Sequence, residues 1–131
     1  MKILLDTHVW WWCLTEPENL SEKALKAIHH SKADERFISS ISIWEFARMA
    51  AKNRIELKIS PAKWLSRAID GAGITVIDLL PEIAIDSCNL PGQFHPDPAD
   101  RIIVATARLK NLTLMTRDKK ILEYPHVKSI W

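Results

Sequence analysis

Short runs of apolar residues alternate along the chain with longer segments of helical periodicity. The first run, Ile3 to Leu5, is closed by Asp6. It predicts a buried strand, because a strand covered on both faces reads as a continuous apolar stretch. Four further strands are predicted at Phe37 to Ser39, Ile74 to Ile77, Thr113 to Thr116 and Val127 to Ile130.

Helical segments fill the intervals between these strands. Three of them begin with a proline, whose fixed backbone angle suits the first position of a helix. The pattern predicts helices directly after Asp6, from Ser21 through Ile28, from Ile43 to Lys52 with Ser42 at the start, from Pro61 to about Ala68, from Pro81 to Cys88, from Pro98 to Leu109, and from Asp118 to Leu122.

Strands and helices alternate throughout, and this order is typical of a parallel sheet with helices on both faces. We therefore predict an α/β fold, a three-layer α/β/α sandwich around a short central parallel sheet. No internal repeat, low-complexity tract or linker interrupts the chain, so we expect one domain over residues 1–131.

The composition of the chain indicates the class of protein and the cellular compartment. Of the 131 residues, 47% are hydrophobic and 26% charged, as in ordinary folded proteins. The net charge of +2 suits a nucleic-acid substrate but is too small to form a basic footprint by itself. The sequence has neither a secretory segment nor an apolar run of about 18 residues that would cross a bilayer. We expect a cytoplasmic protein with two reduced cysteines and no membrane contact.

Six tryptophans are many for this length, and Trp10, Trp11 and Trp12 are consecutive. Neighbouring side chains in a helix point about 100° apart, so the three cannot all face one core. The run predicts at least one tryptophan in a groove or at an interface, where this residue type is favoured. A helix buried on all sides is the alternative.

Four acidic residues stand near the ends of predicted strands or the starts of the helices that follow. They are Asp6, Glu45, Asp100 and Asp118. The carboxyl ends of parallel strands meet at one edge of a sheet, where ligands bind. The sequence therefore predicts that the four carboxylates gather there.

Ionised carboxylates held close together repel each other unless a cation lies among them. Mg²⁺ and Mn²⁺ prefer oxygen ligands, and no Cys or His cluster has zinc-ligand spacing. Such an ion activates water for the hydrolysis of a phosphodiester. Thr7, Ser42 and Thr116 lie beside the acids and are candidates for holding a water or a phosphate oxygen.

Each acid also has a purely structural interpretation. Ser42 and Glu45 match a capping box, Asp97 matches an N-cap with Asp100 three residues later, and Asp118 matches the N-cap of the next helix. Asp6 fits an ordinary turn. His8 and His95 flank the acidic segments, and the sequence assigns them no role.

Basic residues near these acids are candidates for a phosphate-binding rim, although surface arginines are usually only solvated. Arg101 and Arg117 are the best placed, since each adjoins a predicted acidic residue. The other candidates are Arg48, Arg54 and Arg108.

Four segments together resemble a known family. LLDTHVWWW, SISIWE, HPDPADRIIVATA and TLMTRD resemble the PIN-domain ribonucleases, in particular the VapC-type toxins of toxin–antitoxin pairs. The segments occur in the family's order and span nearly the whole chain. The resemblance implies a PIN-like fold with Asp6, Glu45, Asp100 and Asp118 as the acidic quartet. It also implies that Thr116 belongs to the supporting polar shell, and we treat Asp97 as a cap that reaches the metal.

The resemblance implies an Mg²⁺- or Mn²⁺-dependent endoribonuclease. In this hypothesis Asp6 and Asp100 bind the metal, Glu45 positions the attacking water or a second ion, and Asp118 supports the cluster. The products carry a 5′-phosphate and a 3′-hydroxyl. The family further implies a homodimer, a cognate antitoxin that covers the acidic pocket, and a structured RNA substrate such as tRNA.

Two other classes of function remain open. In the first, the acids only cap helices, and the domain binds RNA or protein without cutting. In the second, a strand-end aspartate is phosphorylated, as in Mg²⁺-dependent phosphatases. The phosphatase class ranks last, because the residue two positions after Asp6 is not an aspartate and no lysine is suitably placed.

Overall fold

Five parallel strands form the centre of the molecule in a computed structural model that describes all residues from Met1 to Trp131. The strands are β1 (Ile3–Leu5), β2 (Arg36–Ser39), β3 (Thr75–Ile77), β4 (Thr113–Met115) and β5 (Ser129–Ile130). Their order in the sheet is β3-β2-β1-β4-β5, and all four pairings are parallel. The first strand of the chain thus lies in the middle of the sheet.

Seven α-helices connect and cover the strands: α1 (Thr7–Thr15), α2 (Glu22–His30), α3 (Ser40–Ala51), α4 (Pro61–Ser66), α5 (Pro81–Cys88), α6 (Pro98–Leu109) and α7 (Lys119–Leu122). Two short 3₁₀ turns lie at Pro17–Asn19 and Ala33–Glu35, and a π turn at Arg67–Gly71 continues α4. No helix of the chain is both long enough and apolar enough to cross a bilayer.

The central strand divides the apolar interior into two cores. Leu4 packs into one core with residues of α6 and β4, whereas Ile3 and Leu5 pack into the other with Trp10 and Phe46. This division follows from the period of two in a strand, which sends successive side chains to opposite faces. All three side chains of β1 are at most 1% exposed. The predicted three-layer α/β/α sandwich with a parallel sheet is confirmed.

Two predicted helix boundaries were wrong. Helix α3 begins at Ser40 rather than Ile43, because the Ser39 hydroxyl accepts a hydrogen bond from the backbone N–H of Ile41 and acts as the N-cap. Helix α4 keeps α-helical hydrogen bonding only to Ser66, and the wider π turn carries the chain on to Gly71. The remaining elements lie within a few residues of their predicted positions.

The three consecutive tryptophans have different surroundings. Trp10 is 1% exposed and donates a hydrogen bond from Nε1 to the carbonyl of Ala68. Trp11 is half-buried against Phe46 and Trp64, with ring centroids 6.1 and 5.1 Å away. Trp12 is half-buried and packs against Trp131. Only Trp10 belongs fully to the core, as the helical spacing requires, and an interface role for the other two stays a prediction.

Candidate acidic active site

Asp6 and Thr116 lie side by side at the edge of the sheet where the carboxyl ends of β1 and β4 meet. Leu5 pairs with Met115 in the parallel ladder, so the next residue of each strand emerges at the same level. The Thr116 hydroxyl donates to Oδ2 of Asp6 at 2.7 Å, and the backbone N–H of Thr7 donates to Oδ1 at 2.8 Å. Asp6 is only 7% exposed. Its carboxylate is therefore fixed in place, although a carboxylate has further lone pairs for a cation.

A second group of polar side chains joins α1 to α3. Thr7 donates a hydrogen bond to Oε1 of Glu45 at 2.6 Å, and its oxygen lies 2.8 Å from the hydroxyl of Ser42. Thr7 has one hydroxyl proton and gives it to Glu45, so Ser42 must be the donor in the second bond. The direction of the chain is thus Ser42 to Thr7 to Glu45. Oε2 of Glu45 has no protein partner.

This arrangement contradicts the predicted capping box of Ser42 and Glu45. Helix α3 starts two residues before Ser42, so Glu45 lies in its second turn, not in the first as predicted. Ser42 is fully buried, and both side chains bond to Thr7 of another helix. Glu45 therefore faces the acidic edge.

Helix α6 brings a third part of the site. Asp97 is its N-cap and accepts a hydrogen bond from the backbone N–H of Asp100, as predicted. Asp118 caps α7 through the N–H of Lys120, and its own N–H donates to Thr116. Capping uses only part of each carboxylate. The structural interpretation of these aspartates is therefore correct but does not exclude a role in the site.

The structure adds His95 to this group. Its Nε2 lies 3.1 Å from Oδ2 of Asp100, without the alignment of a hydrogen bond, and this buried nitrogen has no other partner. One ligand atom from each of His95, Asp100 and Asp118 lies within 4.8 Å of the other two. His95 could not be assigned a role from the sequence, because its position depends on the path of the loop before α6.

Burial and, after it, the crowding of negative charge raise the pKa values of three acids in this site. Burial, followed by the charges of Asp6, Asp97, Asp118 and Glu45, raises the pKa of Asp100 from 3.8 to about 7. Burial is also the main cause that raises the pKa of Asp6, which the hydrogen bond from Thr116 opposes. Burial is the main cause of the raised pKa of Glu45 as well, and the charge of Asp6 raises it further. No positively charged group is among the causes that act on the pKa of Asp100.

The donor set fits a divalent cation. Oxygen atoms predominate, as Mg²⁺ and Mn²⁺ prefer, and a cation offsets the charge repulsion that, after burial, raises the pKa of Asp100. The unpartnered Nε2 of His95 lies beside the same carboxylates. Asp100 and Asp6 were the two predicted metal ligands. In the structure, Asp100 forms a close group with Asp118 and His95, and Asp6 is not part of that group.

The family of the chain follows from its sequence. Residues 3–127 match the family model described as PIN domain. The chain belongs to the PIN-domain family. Over 128 residues, 98% of this chain and 95% of the relative, it is 36% identical to Ribonuclease VapC22 of Mycobacterium tuberculosis.

Solved structures agree with this PIN fold. The chain is similar to DNA-bound VapBC from Salmonella typhimurium, with a TM-score of 0.70, 20% identity and coverage of 99% of this chain and 97% of the other. It is also similar to a toxin–antitoxin complex from Klebsiella pneumoniae, with a TM-score of 0.68, 24% identity and coverage of 98% and 96%. At these identities the likeness demonstrates the fold.

The two arginines predicted to bind substrate have different surroundings in this PIN domain. Arg101 donates to the carbonyls of Ser87, Phe94 and His95 at 2.7, 3.0 and 3.3 Å. Its guanidinium thus holds the loop before α6 and has few donors left for a phosphate. Arg117 is exposed, with its guanidinium carbon 5.9 Å from the centre of the Trp12 ring. It stays a candidate for substrate binding.

Proposed function

We propose that this PIN domain is a metal-dependent endoribonuclease and the toxin of a type II toxin–antitoxin pair. The observation that carries the proposal is the convergence of five carboxylates at one edge of the sheet, where burial, followed by the charges of the other four, raises the pKa of Asp100 to about 7. A chain that only capped its helices would have no need to bring Glu45 there as well. The 36% identity to a named ribonuclease over nearly the whole chain supports the assignment.

Asp6 and Asp100 are the proposed metal ligands, with Asp118 and His95 beside Asp100. When bound, Mg²⁺ or Mn²⁺ supplies charge neutralisation for the phosphodiester and activates water. Thr116 holds the carboxylate of Asp6 in one orientation. Asp97 fixes the first turn of α6 and thereby the backbone of Asp100.

Glu45 is the proposed group that orients the attacking water. Thr7 holds Oε1 at 2.6 Å, which leaves Oε2 free to accept a proton. The raised pKa of Glu45 makes its carboxylate a better proton acceptor than an exposed glutamate. Ser42 donates to Thr7 and so keeps the acceptor in position. Hydrolysis in this geometry is expected to leave a 5′-phosphate and a 3′-hydroxyl.

The proposed partners follow from the same relatives. The structural neighbour from Klebsiella pneumoniae is a toxin–antitoxin complex, and the one from Salmonella typhimurium is DNA-bound VapBC. We propose a cognate antitoxin and a homodimer for this chain, and a structured cellular RNA such as tRNA as substrate, with the cytoplasm as the site of action. A cleft of about 670 Å³ lined by Trp11, Trp64, Ile55 and Leu57 is the candidate seat for an antitoxin helix.

The test is incubation of purified, antitoxin-free protein with total cellular RNA in Mg²⁺, in Mn²⁺ and in EDTA. Discrete fragments are expected with either metal and not with EDTA. Asp100→Asn should abolish them. Asp34→Asn is the matched control, because Asp34 is exposed and precedes β2 at the opposite edge of the sheet; it should cut like the parent chain.

A binding module without activity is the second candidate. It is favoured by the caps that Asp97 and Asp118 provide, since these account for both residues without catalysis. Folded protein that cuts no RNA in either metal would support this candidate against the nuclease.

A further inference from the structure

A small basic cleft opens directly beside the acidic edge, along the exposed side of α3. Its volume is about 180 Å³. Two of its lining residues, Thr7 and Glu45, belong to the acidic site, and the others that matter are Trp44, Arg48, Lys52 and Arg54. We call this feature the α3 cleft. Ligand pockets for whole small molecules usually measure about 300–1,000 Å³, so this cleft suits one segment of a longer chain.

The cations of the α3 cleft are free to bind an external anion. Arg48, Lys52 and Arg54 are exposed, and none of them forms a salt bridge within the chain. Among the 18 Lys and Arg side chains, only Lys26 and Arg108 form salt bridges, with Glu22 at 2.9 Å and with Asp86 at 3.0 Å. The acidic site with its five carboxylates lies next to these three cations, yet none of them pairs with an acid. Their charges therefore remain available to a phosphate.

An aromatic side chain completes the cleft. Trp44 is 53% exposed, and the guanidinium carbon of Arg48 lies 5.4 Å from the centre of its ring. About half of the indole is thus open to solvent, while the guanidinium of Arg48 lies over the ring. Exposed aromatic rings next to cations are the arrangement that proteins use for single-stranded nucleic acid, because bases stack on the ring while phosphates meet the charges.

The spacing of these residues matches a strand of RNA leaving the acidic site. Glu45 and Arg48 are three residues apart and share one face of α3, and Lys52, the C-cap of the helix, follows Arg48 by four residues. From Glu45 to Lys52 the chain rises about 10 Å, which corresponds to about three phosphate steps of a stacked strand at roughly 3.4 Å each. An acidic protein segment would use the cations but has no need of an exposed indole.

We propose that the α3 cleft holds the single-stranded RNA next to the scissile bond, with a base on Trp44 and phosphates on the three cations. The inference rests on the proposed nuclease function and extends it to the substrate's position. In this proposal the phosphate contacts come from the α3 cleft and not from Arg101, because the guanidinium of Arg101 is already bonded to three carbonyls.

The test measures binding without cleavage. Fluorescence anisotropy of a labelled single-stranded RNA of mixed sequence is recorded in EDTA at several salt concentrations. Each of Arg48→Ala, Lys52→Ala and Arg54→Ala is expected to flatten the slope of log affinity against log salt by about 0.7, the value for one phosphate contact. Lys110→Ala is the matched control at the far end of α6 and should leave the slope nearly unchanged.

Trp44 is tested separately because stacking carries no charge. Trp44→Ala is expected to weaken binding roughly 5- to 150-fold with an unchanged salt slope. Trp44→Phe should restore part of the affinity. Ile85→Ala, at another exposed apolar residue, is the control. In Mg²⁺ the same variants should raise KM more than they lower kcat, because Trp44 is placed as a binding residue.

The outcomes separate this proposal from the nuclease proposal. If the parent chain cuts RNA but the triple cation variant and Trp44→Ala bind and cut normally, the α3 cleft is not the RNA site. If these variants lose only the binding of a partner protein, the cleft belongs to that partner. If the parent chain cuts nothing yet its RNA binding depends on the cleft, the cleft is an RNA-binding site, but the nuclease proposal fails and with it the placement of that RNA next to a scissile bond.

Discussion

The hydroxyl of Thr116 donates a 2.7 Å hydrogen bond to Oδ2 of Asp6, although 110 residues separate the two along the chain. The bond links the ends of two adjacent parallel strands and fixes a nearly buried carboxylate. It also opposes the burial that raises the pKa of Asp6.

Thr116→Val should therefore destabilise the protein at neutral pH. It removes the donor but keeps the shape of the side chain, and Asp6 is left with an unsatisfied buried acceptor. We expect a loss of about 1–3 kcal/mol in the free energy of unfolding, measured by urea denaturation. Thr116→Ser should recover most of it. Equal stability of the valine and threonine proteins would mean that this bond contributes nothing.

The stability of the metal-free protein should fall as the pH rises. The folded protein holds the proton of Asp100 more tightly than the unfolded chain does, since its pKa is about 7 rather than 3.8. Its stabilising contribution is therefore complete below pH 3.8 and is lost as the pH rises through about 7. Urea denaturation in EDTA should be measured across this pH range for the parent chain and for Asp100→Asn. The free energy of unfolding should fall less steeply with pH in Asp100→Asn, and the difference between the two proteins is the contribution of Asp100.

Divalent cations should stabilise the folded protein, because only the folded chain brings these carboxylates together. Addition of Mg²⁺ or Mn²⁺ in excess of its dissociation constant by about 100-fold should contribute about 2.7 kcal/mol, seen as a rise in Tm. EDTA should reverse the rise. Asp100→Asn is expected to reduce it strongly, whereas Asp34→Asn should keep it. An equal rise in all three proteins would indicate a general salt effect.

Arg101 should act through the loop before α6. Arg101→Ala removes three hydrogen bonds to backbone carbonyls and should lower the free energy of unfolding by about 1–3 kcal/mol. Hydrogen exchange should accelerate in residues 89–97, which carry His95. The salt slope of RNA binding should not change. A flatter slope without faster exchange would instead support the original phosphate-binding interpretation.

Much of the fold was predictable because the relevant signals are local. Ile3 to Leu5 is continuous and apolar, so a buried strand was the natural prediction, and prolines marked the starts of three helices. The start of α3 was less predictable. Serines occupy positions 39, 40 and 42, and each is a competent N-cap by itself. The sheet decided between them, because β2 continues to Ser39.

The acidic edge was also predictable in outline, since the topology alone brings the ends of parallel strands together. The contacts within it were not. Glu45 bonds to Thr7 across 38 residues, and local sequence offered a capping partner instead. His95 and Arg101 depend on the path of the loop that joins α5 to α6. Such contacts are set by tertiary packing, which no short sequence window contains.

The division of β1 between two cores limits how the length of this segment can change. One residue inserted or deleted between Ile3 and Asp6 would exchange the side chains assigned to the two cores and would turn the carboxylate of Asp6 to the other face of the sheet. Residues 52–60 form neither helix nor strand and are under no such restriction. Natural relatives are therefore expected to accept length variation in that connection and to keep the spacing from strand to first carboxylate invariant.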